Sequence, residues 1–207
     1  METEKDAHLI EITTGSQELF RGHFLHAHRD TVRLPDGRSA SREFLVHPGA
    51  VMVIPMLDEP AGSPRLVMER QYRHPVQQVM IEFPAGKLDP GEDRLSCARR
   101  ELQEETGYVA REWARAGVIH PVISYSTEFI EIWFARGLTP GPRRLDAGEF
   151  LDVFTATPEE LTEWVRAGLI TDAKTVAGMF WLHNVLAGVW QLDWQMSVSV
   201  DAPAIAL

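Results

Sequence analysis

The sequence has a single cysteine, no cluster of basic residues and no long apolar run. Cys97 alone excludes an internal disulfide framework and a zinc–thiolate cluster, which is typical of a reducing compartment, so we expect a cytoplasmic protein. The 20 Lys and Arg against 30 Asp and Glu give a formal charge of −10, which argues against a general nucleic-acid binder. Apolar runs such as 50–57 are too short to cross a bilayer, and residues 1–17 are acidic, so we expect neither membrane insertion nor secretion.

What remains is ordinary globular composition, with 207 residues of which 44% are hydrophobic and 24% charged. That is enough apolar material for one core, or one core with a small appendage. Strand-like segments at 8–13, 23–33 and 42–47, with a turn signal "LPDG" before the last, predict a small antiparallel β-domain. Because Pro48-Gly49 follows, we predict two domains, 1–48 and 49–207.

The second predicted domain mixes strands and helices. Alternating or continuous apolar patterns favour strands, and the segments that show them are 50–57, 65–73, 78–83, 114–124, 128–138 and 149–156. A helix is predicted over 93–106, and another begins at the capping signal Thr157-Pro158-Glu159-Glu160, with a third from about Thr171. The sequence therefore predicts a mixed α/β fold.

Acidic residues collect at the far end of the helix predicted over 93–106. An advance of roughly 100° per residue places Leu95, Ala98 and Leu102 on one apolar stripe, with Glu105 nearly in line and Glu101 beside it. Two carboxylates one turn apart repel each other, and burial next to a core would be costly without a compensating cation. The negative end of the helix dipole adds to this cost.

The plain alternative is a solvated acidic face, balanced by Arg99 and Arg100. That alternative accounts for Glu104. It does not account for Glu101 and Glu105 at the edge of the apolar stripe, whereas Mg²⁺ prefers oxygen ligands and retains waters to meet phosphate. The residues alone therefore indicate a divalent-metal site.

The spacing around this helix carries more information than the charges do. Gly86, then five residues, Glu92, then seven residues, then "RELQEETG" at 100–107 reproduces the pattern G-x5-E-x7-R-E-U-x-E-E-x-G-U, where U is a bulky aliphatic residue. This resembles the Nudix box of the Nudix hydrolase superfamily. One departure is Tyr108, which stands where an aliphatic residue is usual. Seven matched polar or glycine positions are far more specific than a lone glycine motif.

The resemblance implies a Nudix fold, a mixed β-sheet sandwiched between helices, and hydrolysis that depends on Mg²⁺, with Mn²⁺ as a possible substitute. It also implies roles for residues at matching positions. Metal ligands would be Glu101 and Glu105, with Glu104 assisting and the carbonyl of Ala85 as a further ligand. Arg100 would hold Glu92 or its loop by a charge-assisted bond.

The segment 69–92, preceded by "LPDG", "RE" and "HPGAV" within 34–51, looks like the ADP-ribose pyrophosphatase branch of this superfamily. That likeness implies a small N-terminal β-domain and a homodimer whose active sites draw on both subunits. Arg73 and Glu82 would contact the substrate or order the site, and Arg42 would come from the partner's N-terminal domain.

The resemblance also implies that the catalytic base is a glutamate from a loop. The match to "DAGEFLDV" at 146–153 places Glu149 in that role, and Glu128 is the alternative. Either residue could instead be a solvent-facing loop carboxylate. An apolar slot for adenine could come from Phe24, Tyr72 or Trp133, although an aromatic residue at strand spacing is more often part of the core.

The implied reaction is ADP-ribose plus water to AMP plus ribose 5-phosphate, on a small-molecule nucleoside diphosphate sugar. Two alternatives stay open at this point. The substrate could be another nucleoside diphosphate sugar or a dinucleotide, because the box reads only the diphosphate and the metal. The chain could also be a non-catalytic ADP-ribose-binding regulator, which would typically have lost a carboxylate of the box.

Overall fold

The structure is a computed structural model, which describes residues 6–58, 62 and 64–197. The chain divides into two compact units. The first unit contains the chain up to Gly49 together with residues 120–129, and the second contains the remainder. Residues 120–129, which the sequence analysis assigned to the second domain, thus group with the N-terminal residues. The boundary at residue 48 stays a prediction.

The first unit contains a three-stranded antiparallel sheet in the order β1-β2-β3. These strands are β1 (Ile12–Arg21), β2 (His26–Arg33) and β3 (Ser39–Leu45), and a short 3₁₀ turn precedes them at Ala7–Leu9. The predicted "LPDG" turn joins β2 to β3, where the amide of Gly37 donates to the carbonyl of Leu34 at 2.9 Å. Gly37 has φ of +87°, a left-handed conformation that glycine adopts without steric cost. The small antiparallel sheet predicted from the sequence is confirmed.

The second unit is built on an eight-stranded mixed sheet. Its strands are β4 (Ala50–Leu57), β5 (Arg65–Arg73), β6 (Gln78–Glu82), β7 (Ala85–Lys87), β8 (Tyr108–Ile119), β9 (Ile130–Pro140), β10 (Leu151–Ala156) and β11 (Trp194–Met196). The main path runs β10-β5-β4-β9-β8-β11, while β6 pairs with β5 and β7 pairs with β4. β4 and β9 are parallel and their neighbours are antiparallel.

In the described part of the chain, three α-helices accompany this sheet, namely α1 (Arg94–Glu101), α2 (Pro158–Arg166) and α3 (Ala173–Leu186). The capping box predicted at the start of α2 is present, with Thr157 and Glu160 bonded reciprocally. Asp172 caps α3 by accepting a hydrogen bond from the amide of Thr175. Within the described ranges, no helix is long and apolar enough to cross a membrane.

The helices lie on both faces of the sheet because the side chains of β4 alternate between two cores. Met52 and Ile54 join a cluster that includes Leu161 of α2 and Leu182 of α3. Val51 and Val53 point the other way, into a second cluster built on α1, with the members Cys97, Ala98, Leu102, Ala110, Trp113, Trp133 and Ala135. The second core holds α1 against the sheet and so fixes the carboxylates at its end.

Candidate active site

The acidic helix does not remain α-helical to its end. α1 stops at Glu101, and residues Leu102–Thr106 continue it as one π-helical turn, which Gly107 ends with φ of +75°. The helix predicted over 93–106 is confirmed, since helical residues run from Arg94 to Thr106. Its last turn is π-helical, a detail that apolar spacing does not distinguish from an α-turn. Single π-helical turns are rare in proteins, and those that occur are often found at functional sites. Glu104 and Glu105 both lie on this turn.

Glu105 is buried next to strand β7, and the side chain of Glu101 beside it is 12% exposed. The amide of Ala85 donates to Oε2 of Glu105 at 3.0 Å, and the side chain of Glu105 is 3% exposed. Burial raises the pKa of Glu101 to about 7. Burial, with the nearby charge of Glu69, raises the pKa of Glu105 well above its usual range. A bound cation would offset the desolvation and the repulsion between carboxylates that raise these pKa values.

Gly86 gives Glu101 the space it occupies. A Cβ atom at position 86 would lie 1.9 Å from Cδ and 1.9 Å from Oε1 of Glu101, which is far inside van der Waals contact. The glycine of the box is therefore required here by close approach of the glutamate to the backbone. The resemblance implied that Gly86 lets the loop backbone approach the site, whereas the residues Ala85-Gly86 by themselves indicate only a turn.

Substitution Gly86→Ala is expected to displace the Glu101 carboxylate. Overpacking of this kind costs about 1–3 kcal/mol, and we expect lower stability in urea unfolding. Gly15→Ala is the matched control, because nothing lies within 4 Å of a Cβ at Gly15. Equal behaviour of the two variants would contradict the proposed contact.

Arg100 donates hydrogen bonds to three glutamates of the Nudix-box pattern. Its Nε and Nη2 donate to the two carboxylate oxygens of Glu92 at 2.9 and 2.8 Å, and its Nη1 donates to Glu101 at 2.8 Å and to Glu104 at 3.1 Å. The hydrogen bonds from Arg100 lower the pKa of Glu92 to about 2. A planar guanidinium is suited to such a fork, and Nη2 also donates to the carbonyl of Lys87 at 3.1 Å.

Arg73 and Glu82 bind each other across neighbouring strands. Nε and Nη2 of Arg73 donate to the carboxylate at 2.7 and 2.9 Å. Lys174, at the start of α3, also donates to Glu82. Burial by itself would raise the pKa of Glu82, but the positive charges of Arg73 and Lys174 outweigh burial and lower this pKa. Sequence reasoning missed Lys174, which lies in no motif and reaches Glu82 only through the fold.

Glu149 belongs to the second unit and lies near the buried carboxylates. Nε2 of Gln71 donates to its Oε1 at 3.1 Å, and the charge of Glu149 contributes to the raised pKa values of Glu101 and Glu105. The alternative base, Glu128, belongs to the first unit, where its Oε1 lies 3.9 Å from Nε2 of His47. The structure thus brings Glu149 together with Glu101 and Glu105.

The second unit contains a groove of about 380 Å³. Its lining includes Arg70 and Tyr72 of β5 and Arg143 and Phe150 of the loop before β10. Tyr72 is 52% exposed. Trp133, by contrast, is 5% exposed and belongs to the core, so the suggestion that it lines an adenine slot is wrong.

The first unit contains Arg42 and a small cluster of polar residues. Arg42 donates from Nε to Glu11 at 2.9 Å, so in this chain it is engaged in an ion pair. Glu18, His26 and His28 place ligand atoms within 4.8 Å of one another. The guanidinium of Arg21 already supplies a cation there, because its Nη2 lies 2.7 Å from Glu18 and 2.8 Å from His26.

The residues of the second unit fit a divalent cation of the hard, oxygen-preferring kind. Glu101 and Glu105 are buried carboxylates with raised pKa values, and Gly86 keeps the backbone open next to Glu101. Mg²⁺ needs only one or two protein carboxylates when it retains waters for a phosphate substrate. The donor set therefore fits Mg²⁺.

Comparison with known proteins agrees with this geometry. Residues 46–177 match the model of the NUDIX domain. The chain belongs to the NUDIX family. Residues 11–45 match a second model, the nucleoside diphosphate sugar hydrolase N-terminal domain. The predicted Nudix fold with its N-terminal β-domain and the predicted class of Nudix pyrophosphohydrolase are confirmed.

Two similar proteins and one solved structure show how far this Nudix chain resembles characterised relatives. It is 33% identical over 177 residues to a Bacillus subtilis protein named ADP-ribose pyrophosphatase, covering 84% of this chain and 94% of that one. It is 36% identical over 177 residues to the methanol dehydrogenase activator of Bacillus methanolicus, covering 84% and 92%. A crystal structure of an ADP compounds hydrolase has a TM-score of 0.77 at 22% identity, covering 87% of this chain and 97% of that one, and it shows the shared fold.

Proposed function

We propose that this Nudix chain hydrolyses the pyrophosphate bond of ADP-ribose, giving AMP and ribose 5-phosphate, and that it requires Mg²⁺ or Mn²⁺. The observation that carries this proposal is the pair of buried carboxylates, Glu101 and Glu105, held against Ala85-Gly86 by the Nudix helix. Two relatives named ADP-ribose pyrophosphatase support the choice of substrate. They are the Bacillus subtilis protein and a Mycobacterium tuberculosis protein that is 32% identical over 182 residues.

Glu101 and Glu105, with the carbonyl of Ala85 and assistance from Glu104, would hold Mg²⁺. A bound Mg²⁺ would neutralise part of the diphosphate charge and lower the pKa of a water bound to it. The polypeptide holds these ligands in place, because Arg100 engages Glu92, Glu101 and Glu104 together. Positioning of this kind supplies much of the rate gain in phosphoryl chemistry.

Glu149 is the general base of the proposed reaction. Its carboxylate takes a proton from the attacking water as the new O–P bond forms, and the bond between phosphorus and the bridging oxygen breaks. Gln71 orients this carboxylate by donating to Oε1 at 3.1 Å. No covalent intermediate is required.

Arg73 contacts the substrate in this proposal. Glu82 fixes its guanidinium through Nε and Nη2, and we assign Nη1 to an oxygen of the substrate. Lys174 holds Glu82 from the other side.

The remaining parts of the proposal concern assembly and location. We propose a homodimer in which Arg42 of a second copy contributes to the substrate site, which would require Arg42 to exchange its ion pair with Glu11. The single cysteine supports a cytoplasmic location, because a lone thiol is typical of reducing compartments. Neither a nucleic acid nor a membrane is a partner in this proposal.

The reaction is tested by identifying products after the purified chain is incubated with Mg²⁺ and one compound at a time. The compounds are ADP-ribose, GDP-mannose, UDP-glucose and diadenosine polyphosphates. We expect AMP to be released fastest from ADP-ribose. Faster cleavage of another compound would keep the Nudix chemistry and replace the substrate, and tight ADP-ribose binding without hydrolysis would favour the non-catalytic regulator.

A further inference from the structure

Glu69 is a fully buried carboxylate that the proposed reaction does not use. It lies in the middle of β5 and is 0% exposed. Among the described residues, neither of its carboxylate oxygens has a hydrogen-bond partner. A buried polar group without a partner is rare in proteins, and a buried charge without one is rarer still.

Glu69 lies on the strand face that the proposed site uses. Side chains alternate along a strand, so Glu69 shares its face with Gln71 and Arg73. Gln71 binds Glu149 and Arg73 binds Glu82, while the intervening Met68 points into the hydrophobic core on the other face. The side chain of Glu69 is therefore directed toward the buried carboxylates rather than toward the core helices.

A third unpartnered oxygen lies on the same face. Oε1 of Gln71 is buried without a hydrogen-bond partner among the described residues. Exchange of the amide oxygen and nitrogen would not relieve it, because Nε2 is the atom that donates to the Glu149 carboxylate. Three buried oxygens and no nitrogen are thus left over on one stretch of β5, a donor set that suits a hard cation.

The protein's own cations near Glu69 are already engaged. Arg73 and Lys174 both donate to Glu82, and no ion pair in the described part of the chain joins either of them to Glu69. Burial and the neighbouring charge of Glu82 raise the pKa of Glu69 to about 8. The charge of Glu69 in turn contributes to the raised pKa of Glu105, so the two carboxylates interact electrostatically.

We propose that Glu69, with the amide oxygen of Gln71, is a further ligand for a divalent cation in the active site, next to Glu105. This chain would then recruit a carboxylate from β5, outside the Nudix box, to its metal centre. The inference rests on the proposed function, because it assumes that Glu105 holds metal during hydrolysis.

The inference is tested by measuring the metal affinity of the variant Glu69→Gln, which requires no assay of activity. Titration of the metal-free protein with Mn²⁺, followed by electron paramagnetic resonance of the free ion, measures affinity directly. We expect Glu69→Gln to bind Mn²⁺ about 10-fold more weakly or worse, which is the scale seen for residues that support metal ligands. Glu69→Leu, which offers no oxygen, should bind at least as weakly as Glu69→Gln.

Thermal unfolding gives a second readout. Without metal, both variants should unfold at a higher temperature than the original chain, because a buried carboxylate without a partner has been removed. The stabilisation that Mn²⁺ adds should be smaller in both. A higher unfolding temperature without metal, combined with unchanged Mn²⁺ affinity, would mean that Glu69 is only a buried carboxyl group and would overturn the inference.

Two further variants separate this inference from the proposed function. Glu131→Gln is the matched control, because Glu131 is also a buried strand glutamate of the second unit but is paired with Arg94 and Arg115. It should bind Mn²⁺ normally. If Glu105→Gln loses Mn²⁺ while the Glu69 variants retain it, only the inference fails. If Glu105→Gln also retains Mn²⁺, the proposed metal site itself is wrong.

Discussion

Glu105→Gln is expected to lower Mg²⁺-dependent hydrolysis of ADP-ribose by about 100-fold or more. Loss of a residue that merely supports a metal ligand costs about 10- to 100-fold, and Glu105 is proposed as a ligand itself. The substitution keeps the shape of the side chain and its hydrogen bond from Ala85 can be retained by the amide oxygen. The expected loss of hydrolysis rate would therefore result from the missing negative charge rather than from a missing hydrogen bond.

The measurement is the steady-state rate at several Mg²⁺ concentrations. A ligand variant should need more Mg²⁺ to reach its maximum rate, since its affinity for the ion is reduced. Glu131→Gln again serves as a control, because its ion pairs with Arg94 and Arg115 lie outside the proposed machinery. Unchanged turnover by Glu105→Gln would show that the metal has been assigned to the wrong residues.

Glu149→Gln is expected to have the second large effect, a decrease in kcat on the order of 10²- to 10⁴-fold, the usual contribution of a general base. Its signature differs from that of Glu105→Gln. The amide cannot accept the proton of the attacking water, but the carboxylates of the box are untouched. Mn²⁺ affinity should therefore stay within about twofold of the original value, because a ligand residue would shift it about 10-fold or more.

The matched variants for this test are Glu128→Gln and Glu159→Gln. Glu128 is the alternative base and belongs to the first unit, whereas Glu159 is an exposed residue of α2 and should leave the rate unchanged. If Glu149→Gln retains its rate while Glu128→Gln loses it, the base is Glu128. Loss in neither variant would mean that another group accepts the proton.

Both predictions use residues that the sequence could identify. Glu149 came from the likeness of the segment 146–153 to the family, whereas Glu105 came from the regularity of the Nudix helix. A helix fixes which residues share a face, so the spacing from Gly86 to Gly107 was enough to single out Glu92, Glu101 and Glu105. The mixed α/β fold followed in the same way from alternating patterns and from caps such as Thr157. These are local features, and a single sequence contains them.

The sequence by itself determined the family, the layered α/β architecture and the carboxylates of the box, because each depends on neighbours close along the chain. Only the tertiary structure decided that Lys174 binds Glu82, that Gln71 orients Glu149 and that Glu69 is buried without a partner. The first two contacts join residues 92 and 78 positions apart. The burial of a side chain likewise depends on which elements pack over it. The residues next to Glu69 in the sequence do not indicate those elements, so its burial could not be predicted from the sequence.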